Sequence, residues 1–359
     1  MSNTAGKPYQ FNLNKIINRL VIVVSVGIIA HLIFLLLTNE KNIFQYLAQI
    51  KLPYVFLILI LLSMNWIGHG LRIVIWTRYL KHKLNFLTGV KIAIYTELGQ
   101  AITPTLIGGG PIKLALFIRN GLSTGKAGFL TLLGGVEDFI MYSSVFIISC
   151  FYAKDAVFQI VEAISAFVGE KWDIILLVIA ILFVLRIIFK KLNWSIVPRK
   201  YNQAWENLMA ELRSGWQEMI YTFGKVIRNG FGYFILSFCI LIFQWTSRFT
   251  VLVVLLYALG VEFEPVQIYL QQWIVYLTMI FIPTPGATGG AEATFFLLFD
   301  GEIPKDLLPL IVSTWRFFIY YLMLFTAVTL VQVFHFAKKK KAEQGDNESL
   351  LDNTASGNE

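Results

Sequence analysis

Apolar residues in this chain are gathered into long blocks, separated by short polar or charged connections. The runs over 20–37, 53–70, 127–152, 173–189, 231–259 and 308–336 predict six full spans. Each is long enough, at about 1.5 Å per residue, to carry an α-helix through most or all of a hydrocarbon core of roughly 30 Å. The stretch 201–228 has a different pattern. Trp205, Leu208, Met209, Leu212, Trp216, Met219, Ile220, Phe223, Val226 and Ile227 recur at three- and four-residue steps, with Glu206, Glu211, Arg213, Glu218, Lys225 and Arg228 between them. That spacing predicts an amphipathic helix. Its tryptophans suit the inner membrane interface better than a coiled-coil seam.

Two more apolar runs, 92–102 and 266–283, lead into sequences that cannot continue a helix. The first is Thr103-Pro104-Thr105-Leu106-Ile107-Gly108-Gly109-Gly110-Pro111-Ile112-Lys113, and the second is Thr284-Pro285-Gly286-Ala287-Thr288-Gly289-Gly290. The order Thr-Pro, three residues, Gly-Gly is the same in both, and Thr284 follows Thr103 by 181 positions. Proline removes a backbone donor and clashes with the preceding turn, while paired glycines leave helical backbone at little steric cost. Backbone groups freed inside a membrane are tolerated where protein buries them or where they line a wet cavity. Two such breaks in corresponding halves of a chain point to a transporter-type binding site.

Charge sets the expected orientation. Arg72, Arg78, Lys81, Lys83 and Lys91 precede the first break, and Lys113, Arg119 and Lys126 follow it. Basic connections stay in the cytoplasm, so residues from about 92 to 120 are expected to enter from that side and return as a re-entrant hairpin. The connection 154–171 carries Asp155, Glu162 and Glu170 without an excess of base and is expected outside. Arg186, Lys190, Lys191, Arg199 and Lys200 bring the chain back in. Acidic residues flank the second break (Glu262, Glu264, Asp300, Glu302), so that hairpin is expected to open from outside before 308–336 runs inward to Lys338–Lys341. The expected fold is therefore an all-α polytopic membrane protein with two inverted-topology repeats and both termini in the cytoplasm. Its parts are an N-terminal segment (1–19), a membrane domain (20–336, with halves at about 53–152 and 231–336 and a connector at about 201–230) and a basic then acidic disordered tail (337–359).

Composition narrows the class. The chain is 57% hydrophobic and 14% charged, with a mean hydropathy of +0.66, far from the composition of soluble domains. Its net charge of +8 sits beside apolar runs, as in topology signals and headgroup contacts, and not on a nucleic-acid-binding face. The polar segment before residue 20 and the Asn39-Glu40-Lys41 that follows the first run do not fit a cleaved signal peptide, so a retained span is expected. Cys150 and Cys239 lie inside apolar runs, without disulfide or metal-ligand spacing. No P-loop, GxSxG, HExxH or dinucleotide fingerprint is present, which disfavours an ATP-driven pump. Neither a cofactor nor a metal is expected.

Thr103, Pro104, Gly108, Gly109, Gly110 and Lys113 in the first half, with Thr284, Pro285, Gly286, Gly289, Gly290, Glu292 and Arg316 in the second, are the expected substrate-binding set. Open backbone amides and half-helix ends can hold an anionic group. Lys113 and Glu292 each follow their Gly-Gly and are expected to reach one shared cavity. Glu97, Glu137, Asp138 and Arg248 are the other ionisable residues within apolar runs, where charge is expensive, and are expected to pair or to carry ions or protons. Adjacent Glu137 and Asp138 cannot share a helix face, so at least one should meet a polar cavity or a cation. His31, His69 and His335 read as packing or interface residues.

The residues from Gly99-Gln100-Ala101-Ile102-Thr103-Pro104 through Gly108-Gly109 to Arg119, together with Pro283-Thr284-Pro285-Gly286 through Gly289-Gly290-Ala291-Glu292, resemble the lysylphosphatidylglycerol synthase transmembrane-region family. That family includes YbhN-like proteins and the flippase portion of the multiple peptide resistance factors, and the resemblance runs from about residue 15 to 336. It implies an inner-membrane protein that moves or handles lipids, with both re-entrant elements at the headgroup site. Members often carry an acidic residue followed by Arg where this chain has Glu137-Asp138, which leaves Arg316 with no evident basic counterpart in the first half. The aminoacyl-transfer domain of the resistance factors does not follow here, so synthesis of an aminoacylated lipid is not expected. The expected function is translocation of a lipid or lipid-linked intermediate with an anionic or zwitterionic headgroup. Membrane lipids are the expected partners, with possible homo-oligomerisation. The alternatives are a non-transporting membrane partner of a lipid- or glycan-modifying enzyme, or an intramembrane lipid-modifying enzyme using Glu97, Glu137 and Glu292.

Overall fold

The structure, a computed structural model, describes residues 50–103, 108–170, 202–282 and 284–334, with positions 183, 184 and 187. The expected span at 20–37 with His31, most of that at 173–189, and Pro104, Pro283, His335 and the tail lie outside the described residues.

Helix α1 (Leu52–Tyr79) starts with Pro53 in its first turn, where a missing amide costs nothing. Helix α2 (Phe86–Ile102) is capped by Asn85, whose side chain accepts from the Leu87 amide at 3.3 Å. After the first break, α3 (Gly109–Arg119) leads to the long α4 (Thr124–Tyr152). The expected connection 154–171 contains helix α5 (Lys154–Glu170), an amphipathic helix that buries Ala156 and Ile160 and exposes Phe158, Val161 and Ile164. Then follow α6 (Asn202–Asn229), α7 (Phe231–Ala258), α8 (Pro265–Met279), a single 3₁₀ turn (Pro285–Ala287), α9 (Gly290–Phe299) and α10 (Leu308–Arg316). Helix α10 continues through a π-helical stretch (Phe317–Leu322) as far as Phe334. Among the described residues the only extended pairing is a bridge between Asp300 and Ile303.

Among the described residues, four helices are long and apolar enough to cross a membrane: α1, α4, α7 and Leu308–Phe334. Large apolar side chains such as Phe139, Phe151 and Phe281 stay exposed on the protein, which suits contact with hydrocarbon and would be a liability in water. The order of long helix, two short arms and long helix occurs twice. Leu52, Phe86, Gly109 and Thr124 begin elements whose counterparts begin at Phe231, Pro265, Gly290 and Leu308, each about 180 residues later.

Equivalent helices α1 and α7 pack against each other and run antiparallel. Asn65 meets Gln244, whose amide donates to it at 3.0 Å; further along α1, Trp76 meets Ser237 and the Tyr79 ring lies 4.9 Å from that of Tyr233. Numbers rise along α1 while those of its partners fall. Asn65 and Gln244 hold the same position counted from their helix starts, as do Trp66 and Trp245, so equivalent residues meet where the two helices cross.

The apolar side of α6 divides. Met219, Thr222 and Val226 are buried, with Phe223 packed against Phe129 of α4, whereas Trp216, Ile220, Tyr221 and Ile227 remain exposed. The main core lies between α7, α8, α9 and α10, around Trp245, Trp273, Phe295 and Trp315.

Candidate functional site

Both breaks are tight crossings built on glycine. A Cβ on Gly109 would sit 2.9 Å from the Thr96 carbonyl and against Gln100, and one on Gly99 would strike Ile112, so only glycine lets α2 and α3 approach this closely. The Thr103 hydroxyl donates to the Gly99 carbonyl at 2.9 Å and accepts from the Gly108 amide at 2.8 Å, satisfying backbone that the break has released. Gly110 has no comparable close neighbour. In the second break, Gly286 and Gly289 have φ of 61° and 87°, the left-handed region that side chains disfavour. There the Thr284 hydroxyl donates to the Thr288 carbonyl at 2.9 Å.

Glu292 lies in the first turn of α9 and reaches back to accept from the Gly289 amide at 2.7 Å, a capping contact at the positive end of the helix. Its other oxygen accepts from Arg316 Nε at 2.6 Å, and Arg316 Nη2 donates to the Gly286 carbonyl at 2.9 Å. Arg316 is 1% exposed, so these contacts offset a charge that hydrocarbon could not hold alone. The guanidinium also lies 5.1 Å from the centre of the Tyr320 ring. That ring fills the space a Gly286 side chain would need, and the Tyr320 hydroxyl donates to the Ala101 carbonyl at 3.2 Å. Tyr320 thus spans from the second break to the helix end that enters the first.

A second station joins the halves. Glu97 of α2 accepts from Arg248 of α7 at 3.0 Å, from Asn65 at 3.1 Å and from the Trp66 indole. Arg248 also donates to the Ile319 carbonyl at 3.3 Å. Ile319 belongs to the π-helical stretch, and such stretches loosen the ordinary ladder and recur at functional sites.

The third station was misread from sequence. Arg72 is not part of the cytoplasmic basic group: it is buried in α1, where it pairs with Glu137 of α4 and lies 3.9 Å from Asp138. The Trp76 indole donates to Glu137 at 3.0 Å. The first half therefore has its own buried arginine, on α1 and not at the position of α4 that corresponds to Arg316. Counting Arg72 with Arg78 and Lys81 overlooked the apolar Ile73-Val74-Ile75-Trp76 that follows it. Asn65, Gln244 and Tyr320 were also overlooked, although the matching positions of Asn65 and Gln244 are readable once the repeat is aligned.

Lys113 does not join Glu292. It lines a small, partly open cavity with His69, Arg72, Trp76, Gly134 and Glu137. Glu97, Glu137 and Glu292 are held by three different arginines, so each carboxylate that might serve as acid or base is engaged in an ion pair. Among the described residues no group of His, Cys, Asp and Glu is arranged to hold a metal.

Against known proteins, the chain is similar to a UPF0104 membrane protein of Archaeoglobus fulgidus, with 24% identity over 276 residues that cover 72% of this chain and 80% of that protein. Residues 21–327 match the family model described as the lysylphosphatidylglycerol synthase TM region. That match takes in α1, α4, α7 and most of the helix from Leu308, both breaks and the three arginine–carboxylate stations, so the chain belongs to the lysylphosphatidylglycerol synthase transmembrane-region family.

Proposed function

We propose that this protein translocates a membrane lipid, or a lipid-linked intermediate, by passing its headgroup between the two broken helices. The observation that carries this reading is the apposition of the breaks, which fall at matching positions of a twofold element order and are linked through Tyr320, with ionised side chains buried beside them. A membrane protein that retains three buried or half-buried ion pairs and two non-helical segments bears a cost that a mere anchor would not.

The antiparallel packing of equivalent α1 and α7 supports an inverted repeat, in which the two units cross the membrane in opposite directions. Under this reading the first break opens towards the cytoplasm and the second to the opposite side, and the protein resides in the cytoplasmic membrane with both termini inside. Thr103, Gly108 and Gly109 offer one half of the headgroup site, and Gly286, Gly289, Gly290, Glu292 and Arg316 the other. Lipid movement between the leaflets of sealed vesicles containing the purified protein, with leakage of a trapped solute followed in parallel, tests the function. Leakless exchange well above that of protein-free vesicles is expected. Rates equal to those of protein-free vesicles would refute it.

A further inference from the structure

Two polar contacts tie α2, the arm that enters the first break, to the second half, and both meet the π-helical stretch Phe317–Leu322. The Tyr320 hydroxyl donates to the Ala101 carbonyl in the last turn of α2 at 3.2 Å. Arg248 pairs with Glu97, one turn earlier on α2, through one terminal nitrogen at 3.0 Å and donates through the other to the Ile319 carbonyl at 3.3 Å. Ile319 and Tyr320 are neighbours within the stretch. The side chains of Glu97 and Arg248 are 21% and 18% exposed, against 1% for Arg316, so this pair separates at less cost than the sealed one.

The stretch has two possible arrangements. A π-helical turn holds one residue more than an α-helical turn, and passing that residue along the helix rotates the side chains it crosses by about 100°. Such a change would take Ile319 and Tyr320 from their partners together. The second break is constrained at the same point. Gly286, at φ 61°, lies against the tip of the Tyr320 ring, and Ala287 stands at φ 54° although it carries a side chain. Left-handed backbone at a residue other than glycine persists where its surroundings hold it.

We infer that Arg248 and Tyr320 form a latch between the two breaks, closed in this structure, and that rearrangement of the π-helical stretch opens it. Both act as positioning residues, through the backbone of α2 and of the stretch. The purpose of such a latch rests on the translocation reading, in which a headgroup must pass between the breaks; its opening can be measured without lipid.

Hydrogen–deuterium exchange of the full-length protein in detergent, read by mass spectrometry, tests the latch in peptides covering the end of α2, the second break and the π-helical stretch, with the crossing of α1 and α7 as reference. Tyr320→Phe keeps the ring beside Gly286 and removes only the hydrogen bond to Ala101. It is expected to raise exchange about threefold or more in all three peptides and to leave the reference unchanged. Arg248→Lys keeps a cation for Glu97, gives up the second nitrogen that reaches Ile319, and is expected to act on the same three peptides; it also avoids stranding the carboxylate, which could spoil folding. A rise confined to the segment whose contact is removed, a rise that includes the reference, or no rise in either variant overturns the latch. Lipid movement by the unaltered protein is followed separately in sealed vesicles. Linked exchange without lipid movement would sink the translocation reading and keep the latch, whereas lipid movement with unlinked exchange would do the reverse.

Discussion

Arg316 and Glu292 show how one buried contact serves both stability and shape. Arg316 is 1% exposed against 14% for Glu292, so the two partners should not be equivalent on removal. Without Glu292, the guanidinium keeps the Gly286 carbonyl and the Trp315 and Tyr320 rings, with no carboxylate, in a dry setting. Without Arg316, the carboxylate still accepts from the Gly289 amide and touches solvent. Stranding a buried charge costs about 3–5 kcal/mol. Glu292→Ala is therefore expected to lower the thermal midpoint in detergent more than Arg316→Ala, and the double variant less than the two losses added. Strict additivity would mean that the contact carries no coupling.

At the scale of elements, the two breaks share a sequence pattern but differ in how tightly they are packed. A side chain on Gly109 meets backbone, the Thr96 carbonyl, which cannot turn aside; one on Gly290 meets the Ile282 side chain, its branch carbons as well as its end, which must shift to admit it. Gly109→Ala is expected to part α2 from α3 and to lower both folded yield and transport, whereas Gly290→Ala, which displaces a side chain and not backbone, should lower folded yield less. Size-exclusion profiles and thermal midpoints of the two variants provide the comparison. Equal tolerance would show that the first hairpin is looser than the α2–α3 contacts indicate. The same packing alters what larger changes can report. Leucine at either glycine probes the cavity only if the crossing survives, so the alanine variants come first.

For the whole molecule, the antiparallel contact of α1 with α7 predicts which loops share a side. If the repeats are inverted, single cysteines near residues 81 and 120 should be labelled by an impermeant thiol reagent only from the cytoplasmic face, and those near 160 and 263 only from the other, in a background without Cys150 and Cys239. Residues 81 and 120 reacting from opposite faces would turn the α2–α3 hairpin into a full crossing and remove the inverted repeat.

Much of this was legible in the sequence because the bilayer imposes a simple rule: apolar runs of sufficient length become helices, and Pro or Gly-Gly within them stops the helix. That rule placed α1, α4, α7 and the helix from Leu308, both breaks, and the amphipathic α6. It could not place Arg72, because basic residues near a helix end look alike whether they face water or a carboxylate two helices away. Nor could it assign partners among the six charges of the three ion pairs, since Glu97 and Arg248 are 151 residues apart in the chain and no local spacing records their contact. The helix α5 lay within a segment read only as a connection, because its charges were weighed for their sign while the three- and four-residue spacing of its apolar residues was not. Hydrophobicity along the chain determined which segments enter the membrane and where they break; side-chain packing between helices remote in sequence decided which charges meet.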